Sequence, residues 1–384
     1  MISRIRLVLA FASAAALMSL SSPCSAQRLE IPNGPYQFSV PADSLAVGSA
    51  VGIYIGIGNS STSQVPYKYI GISAVEGAPD FVVVIPATGI APANIAIGLN
   101  PNVVAYLPPG GYSEYVQFAV VGQTSPQGGA QVLLSVMPPP PPVVTSLVSA
   151  ASLQPAISPG EVVSIFGANL GTPPLTAQYS DAGLYPTTLG NTTVTFNGTA
   201  APLLYVSTVQ INAVVPFEAA GQKTVNVVVT HDSEASPAFS LPITDTSPAM
   251  FTDTQTGKGQ GAIINAGPRA LSPGTPNSPE NPAPQGSAIS IFATGGGVYN
   301  QPFTPNQDGV ISLGASGPPA APVSLTIGGK TANVIYAGAA PYAVPGVIQV
   351  NAVVPNGIGS GSQAVVLTIG NNNNASQQVT VAVK

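Results

Sequence analysis

The chain has 384 residues, 45% of them hydrophobic, and carries 14 acidic side chains against 9 Lys and Arg, for a net charge of −5. So few cations leave no basic patch for phosphate contacts, which argues against nucleic-acid binding. Gly and Pro number 41 each, a level typical of disorder, yet the apolar content is enough to offset ordering entropy, so both residues read as punctuation between short strands.

At the start, Arg4 and Arg6 precede an apolar run from Leu7 to Leu20. Ser21, Ser22 and Pro23 break that run, and Cys24-Ser25-Ala26 offers a small-residue cleavage site before Gln27. The pattern predicts a secretory signal peptide over residues 1–26 and a mature chain that is secreted, surface-bound or periplasmic. The apolar run is shorter than the roughly 20 residues of a spanning helix, and no later run approaches that length. Pro23 also stands before Cys24 where a lipoprotein signal expects a small residue such as Gly or Ala. Cleavage after Ala26 would remove the only cysteine, leaving no disulfide, thiol nucleophile or thiolate metal ligand.

Residues 27–137 form the first block. Ile53, Ile55 and Ile57 follow Val51 at every second position, as in a strand with one buried face. Phe81 to Ile85, Tyr115 to Val121 and Gln131 to Val136 are further strand candidates, separated by Pro and Gly. Helical periodicity is nowhere sustained, so this block reads as a β-sandwich. Pro138 to Pro142 is an uninterrupted proline run, read as a stiff polyproline II spacer within a linker at 138–145.

The remainder contains an internal repeat. Val163-Ser164-Ile165-Phe166 is echoed by Ile289-Ser290-Ile291-Phe292, and Leu204-Tyr205 by Ile335-Tyr336. Val194 to Gly198 is echoed by Leu325 to Gly329, and Gln210 to Pro216 by Gln349 to Pro355. Landmarks in one order with unequal insertions predict two copies of one sandwich, at 146–245 and 286–384, each of the roughly 100 residues usual for an immunoglobulin-like fold. Residues 246–285, rich in Pro, Gly, Asn and Ser, read as a connector with little regular structure. The fold class is therefore all-β, three immunoglobulin-like sandwiches in tandem after a signal peptide. Within the repeat, Asn212 and Asn351 are expected to satisfy backbone groups of a neighbouring loop, the alternative being a ligand-binding pair. Gly198 and Gly329 are expected to supply positive φ in hairpin turns.

These residues also carry a resemblance. Ser149 to Ser152 and Ser158 to Leu170, then Ser247 to Phe251, Gly259 to Asn265, Asn281 to Ala283 and Thr294 to Gly297, resemble an uncharacterised C-terminal domain family of secreted acidobacterial, Solibacter-type proteins. Gln285-Gly286-Ser287 departs from that family, which usually has a proline, a glycine and an acidic residue there. Each copy is also similar to the IPT/TIG sandwich, a module usually used for scaffolding or recognition. The first block resembles, more loosely, BACON-like domains, through Leu99-Asn100-Pro101, Leu107 to Tyr112 and Val116 to Phe118. The resemblance implies export and tandem immunoglobulin-like shape, and the BACON-like part implies attachment to carbohydrate or mucin.

Catalytic constellations are missing from the sequence. His231 is the only histidine, beside Asp232 and Glu234 in a polar turn, and no G-x-S-x-G elbow exists. One histidine cannot furnish a zinc site, the acids are scattered rather than paired as a glycosidase requires, and Gly257 to Gly261 matches no phosphate-loop pattern. Asn306 to Gly309 offers oxygen ligands for calcium but reads more simply as an Asp-Gly turn. No catalytic, cofactor or metal residue is assigned and no cofactor is expected. Without Trp, sugar stacking would fall to tyrosine, and Tyr54, Tyr67, Tyr69, Tyr106, Tyr112 and Tyr115 all lie in the first block. The expected function is a non-enzymatic adhesion, scaffolding or interaction protein whose partner is an unknown extracellular protein or polysaccharide. The alternatives are a carbohydrate-binding protein using those tyrosines and an extracellular hydrolase with an unrecognised site.

Overall fold

The computed structural model describes residues 28–41, 52–59, 64–74, 80–267, 274–300, 308–313, 317–371 and 374–384. The expected signal peptide lies outside them. The chain divides into two compact units, one ending at Pro139 and the other beginning at Pro140.

The first unit contains β1 (Leu29–Glu30), β2 (Tyr36–Pro41), β3 (Gly52–Asn59), β4 (Val65–Ala74), β5 (Val82–Ile85), β6 (Thr88–Ala91), β7 (Ala93–Leu99), α1 (Pro101–Val104), β8 (Gly110–Val120) and β9 (Gly128–Met137). They form two sheets, in the orders β1-β3-β7-β5 and β2-β9-β8-β4-β6. Period-2 alternation decides which side chains meet between them. Ile55, Ile57, Ile95 and Ile97 from one sheet and Val116, Phe118, Val132 and Leu134 from the other are buried in one core. Each such side chain contributes about 1.5–3 kcal/mol by leaving water. The single helical turn α1 starts at Pro101, whose missing N–H costs nothing there, and Asn100 caps it by accepting the Asn102 N–H at 3.1 Å.

In the second unit, the first copy comprises β10 (Val143–Ser149), β11 (Val162–Ala168), β12 (Leu175–Thr176), β13 (Thr188–Leu189), β14 (Thr192–Phe196), β15 (Thr199–Ala200), β16 (Leu203–Val206), β17 (Gln210–Val214), β18 (Thr224–His231), β19 (Glu234–Ala235) and β20 (Phe239–Pro242). Its sheets run β10-β11-β17-β16-β12 and β13-β14-β18-β19, with β15 on β14 and β20 on β18. The second copy follows with β21 (Ala249–Met250), β22 (Ile263–Ala266), β23 (Ala288–Thr294), β24 (Val323–Ile327), β25 (Lys330–Thr331), β26 (Asn333–Ala339), β27 (Ile348–Val353), β28 (Gly361–Ile369) and β29 (Val379–Val383). There the sheets run β21-β23-β27-β26, with β22 also on β23, and β25-β24-β28-β29. Both copies are immunoglobulin-like sandwiches. The hairpin turns behave as their residues require, with positive φ at Asn197 and Gly198 and at Gly328 and Gly329.

One expectation needs correcting. The stretch 246–285 is not a loose connector, since β21 and β22 lie within it and both pair with β23. Its asparagines supply the bonds that short strands lack. Asn277, 1% exposed, donates its amide to Asn265 Oδ1 and to the Ala382 carbonyl, both at 2.9 Å, and accepts the Ala382 N–H at 2.8 Å. Asn265 in turn donates to the Asn281 carbonyl at 2.7 Å. Composition alone reads such residues as loop formers, whereas burial converts each amide into a clamp that must be satisfied.

The two copies pack directly on one another. Val162 and Val214, on the non-core face of the first copy, are buried with Val344 of the second, and Phe251 and Val347 pack against them. The buried Thr294 hydroxyl accepts the Val162 N–H at 2.9 Å and donates to the Gly346 carbonyl at 2.7 Å. Gly295 is obligatory here, because its φ is +78° and a Cβ would lie 1.9 Å from the Ser247 carbonyl oxygen. The inserted loops join the same seam. Ile311 N–H donates to Gly183 O at 2.8 Å, and Tyr185 N–H to Gly309 O at 2.9 Å.

Candidate functional site

Side chains on a sandwich divide into those facing the core and those on the outer face of each sheet, and only the second kind is free for recognition. In the first copy, Ser164 on β11 lies directly opposite Asn212 on β17, which lies opposite Tyr205 on β16. In the next row Phe166 stands opposite Gln210. A bulge at Leu204 turns Tyr205 onto this face, while Leu203 and Val206 on either side point into the core. The second copy repeats the arrangement, with Ser290, Asn351 and Tyr336 in one row and Phe292 opposite Gln349 in the next. Its bulge falls at Ile335.

The amides are held in a set orientation. Asn212 Oδ1 accepts from Gln210 Nε2 at 2.9 Å and from the Ser164 hydroxyl at 3.1 Å. Asn351 Oδ1 accepts from Gln349 Nε2 at 2.8 Å. Two donors on one oxygen leave the amide nitrogen of Asn212 turned away from both. The Asn side chains therefore bond to neighbouring side chains on the sheet surface, and not to the backbone of a loop as the sequence suggested. Phe166, Tyr205, Gln210 and Asn212, and their counterparts Phe292, Tyr336, Gln349 and Asn351, are all half-buried.

The six tyrosines proposed from sequence do not form one platform. Tyr67 is fully buried in the core, its ring against Phe118, so it is withdrawn as a ligand contact. Tyr69 packs on the same Phe118 at 6.0 Å, and burial with help from the Asp80 and Glu114 charges pushes its phenol up to about 12. Tyr112 packs on Phe81 and donates its hydroxyl to the Pro108 carbonyl at 2.7 Å. The other three are exposed: Tyr106 at 81%, Tyr54 at 76% and Tyr115 at 39%. Tyr54 lies on the outer face of the β1-β3-β7-β5 sheet, in one row with Ala96 and the exposed Ile85. Tyr115 lies on the outer face of the opposite sheet, opposite Gln131 and with its ring over Gly129. Strand parity is the cause, since residues an odd number apart on one strand face opposite ways. Near Tyr115, a trough of about 400 Å³ runs along β2, β9 and β8, lined on its outer side by Gln37, Ser39, Ser113, Leu133 and Ser135.

The titratable groups are absorbed into the fold. Glu161 is fully buried, accepts the Ser158 N–H at 2.9 Å and the Ser158 hydroxyl at 3.3 Å, and has its carboxyl pushed up to about 8 by burial. Glu114, also buried, accepts the Phe81 N–H at 2.9 Å; burial raises its pKa, and the nearby Asp80 charge adds to the rise. Asp308 accepts the Phe217 N–H at 2.8 Å, so the carboxylate weighed as a calcium ligand is tied to the one-turn 3-10 helix Phe217–Ala219. Asn306 and Gln307 lie outside the described residues. His231 bonds through Nδ1 to the Thr192 hydroxyl at 3.0 Å and through Nε2 to Asp232 at 3.2 Å. This chain of Thr, His and Asp has the order of a catalytic triad, but Thr192 is fully buried and substrate has no access to its hydroxyl. Among the described residues no three His, Cys, Asp or Glu side chains gather for a metal, and no helix is long and apolar enough to cross a membrane.

Known proteins share parts of this architecture. Residues 142–243 match the IPT/TIG domain. No curated protein matches the chain. Among solved structures, protocadherin gamma B2 cadherin domains 1–5 are similar at 11% identity and a TM-score of 0.25, over 94% of this chain and 60% of that one. The human desmocollin-1 ectodomain is similar at 9% identity and 0.22, over 93% and 58%. The plexin A4 extracellular region is similar at 9% identity and 0.22, over 92% and 33%. The chain thus spans less than two thirds of each. Scores this low carry no argument about this chain, whose fold rests on its own strand order.

Proposed function

We propose that the chain is a non-enzymatic interaction module working outside the cytoplasm, its sandwiches serving adhesion or scaffolding toward an extracellular protein or polysaccharide. The observation that carries this reading is the set of large apolar side chains held in the open on ordered strands and turns. Tyr106, Tyr54 and Tyr342 are each at least three quarters exposed. Aromatic side chains standing clear of a rigid scaffold supply contact area at little entropic cost, which is what recognition surfaces use. The IPT/TIG match over 142–243 fits the same reading. The test is retention of beads carrying Gln27–Lys384 on cell-envelope and matrix preparations. Retention that falls in the triple variant Tyr54→Ser, Tyr106→Ser, Tyr342→Ser supports the reading, and no retention on any surface sinks it.

A second reading assigns sugar binding to the first unit, favoured by the exposed row of Tyr54 and Ile85 on one sheet face. Pull-down on insoluble polysaccharides with Gln27–Lys384 beside Val143–Lys384 separates the two. Binding that is lost with the first unit makes that unit the carbohydrate module and the repeats its display stalk.

A further inference from the structure

We infer that the outer faces of the two repeats are a duplicated binding site for a neutral glycan, one copy centred on Asn212 and the other on Asn351. The inference rests on the interaction reading above but concerns a different surface.

The first observation is where the two copies agree. Several core positions exchange between apolar residues, Val163 for Ile289, Leu203 for Val334, Val206 for Ala337 and Ile211 for Val350, while Ile165 and Ile291, Ala213 and Ala352, and Val215 and Val354 are kept. The outer-face five do not change at all. Ser164, Phe166, Tyr205, Gln210 and Asn212 correspond to Ser290, Phe292, Tyr336, Gln349 and Asn351. Packing demands only apolar volume from a core residue and demands still less from an outer one. Five identities on the face that packing constrains less therefore point to a requirement beyond apolar packing.

The second observation is what those side chains offer. Among the described residues, Asn212 Nδ2 and Gln210 Oε1 bond to no protein group, and neither do Asn351 Nδ2 and Gln349 Oε1. Each copy so presents a free donor beside a free acceptor, with the Asn amide held by the bond to its own oxygen. Phe and Tyr rings flank the pair on neighbouring strands. A preset donor and acceptor match the vicinal hydroxyls of a sugar, and an aromatic ring matches its C–H face. The third observation is charge. The rows Val148-Ser164-Asn212-Tyr205-Thr176 and Ser146-Phe166-Gln210 contain no ionisable group except phenol, and neither do Ile264-Ser290-Asn351-Tyr336 and Phe292-Gln349-Gly338. A polyanionic ligand would find nothing to neutralise it, so the occupant is uncharged.

Affinity electrophoresis of the mature chain through gels containing xylan, mannan, mixed-linkage glucan or starch, with pectate as the charged control, tests this. The expected result is retardation by a neutral polysaccharide and not by pectate. Asn212→Asp and Asn351→Asp replace the free donor by an acceptor of the same shape, and each should weaken binding. The double variant should lose at least about tenfold, the value of one well-placed hydrogen bond. Tyr205→Ala with Tyr336→Ala should weaken binding by more than Tyr336→Phe, which loses only the hydrogen bond from the Tyr336 hydroxyl to the Ala339 carbonyl at 3.0 Å. The urea midpoints of the two variants separate ligand contact from misfolding. Retardation unaffected by both double variants would overturn the inference, as would no retardation by any neutral polysaccharide. If the beads described above still hold to periodate-treated envelope material while the gels show nothing, the partner is protein. The interaction reading then survives without this site.

Discussion

The two copies in the second unit share an outer-face row, Ser164-Asn212-Tyr205 in one and Ser290-Asn351-Tyr336 in the other, but exchange several core residues, among them Val163 for Ile289 and Ile211 for Val350. Their contacts differ as well. In the first copy the row beyond Ser164 and Asn212 is Val162 and Val214, buried under Val344 of its neighbour. In the second copy the corresponding row is Ala288 and Val353, both half-buried. One face thus serves two purposes in the first copy, docking at one end and display at the other, and in the second copy the docking end is uncovered. Duplication supplied the same sheet twice, and the seam specialised only one of them.

The largest expected effect breaks that seam. Gly295→Ala places a Cβ 1.9 Å from the Ser247 carbonyl oxygen, with φ at +78°. It should cost more than about 3 kcal/mol, the range of severe overpacking with backbone strain. Gly329→Ala is the matched control, since its φ of +76° is as unfavourable but nothing lies within 4 Å of the new Cβ. It should cost about 1–2 kcal/mol. Equal shifts in the urea midpoint would mean that neither the Ser247 backbone nor Glu161 Oε2, 3.2 Å from the new Cβ, holds its place against Gly295.

Acidity sharpens the comparison next. The first copy carries Glu161 where the second has Ser287, which donates its hydroxyl to the Pro284 carbonyl at 2.6 Å. With the Glu161 carboxyl raised from 4.5 to about 8 by burial, the folded state holds its proton more tightly than the unfolded one. Stability is then greatest below pH 4.5 and declines as pH rises toward 8. A tenfold difference in proton affinity between the two states corresponds to about 1.4 kcal/mol, so the decline is on the order of a few kcal/mol. Asp308 is raised in the same direction, so the readout is the difference between wild type and Glu161→Gln across this window. A variant as pH-sensitive as the wild type would show that Glu161 is ionised at no cost in the fold.

Sequence made the sandwich cores legible because apolar alternation marks them directly: Ile55, Ile57, Ile165 and Ile291 are buried as their spacing requires. It was silent on the segment around Asn265, Asn277 and Asn281, because a buried amide network has no periodic signature and each strand there has only two to four residues. Asn277→Ala tests that segment, and should cost about 2 kcal/mol by stranding the partners of a buried amide. A change near zero in the melting transition would return 246–285 to the status of a loose connector. The candidate site was half legible. The Gln-x-Asn motif and the Ser-Ile-Phe motif are plain in the sequence, but that Tyr205 joins them depends on the Leu204 bulge, which no local pattern announces. The tyrosine set from the first unit failed for a simpler reason, since parity sends Tyr67, Tyr69 and Tyr112 inward and Tyr115 outward.

The smallest expected effect on stability carries the most weight for function. Asn212→Ala removes an outer-face amide; its partner Gln210 is half-buried, but Ser164 is only 4% exposed and loses its acceptor, so stability should fall by about 1 kcal/mol. The core exchange Val163→Ile with Ile211→Val brings the first copy to the residues of the second, and as a nearly volume-conserving swap should cost less than about 1.5 kcal/mol. If the fold tolerates Asn212→Ala at least as well as that exchange, the need to fold does not account for the outer-face identity of Asn212 and Asn351. A large loss of stability from Asn212→Ala would reverse the argument. It would make the Ser-Asn-Gln row a structural strut, and its repetition in the second copy would then follow from folding alone.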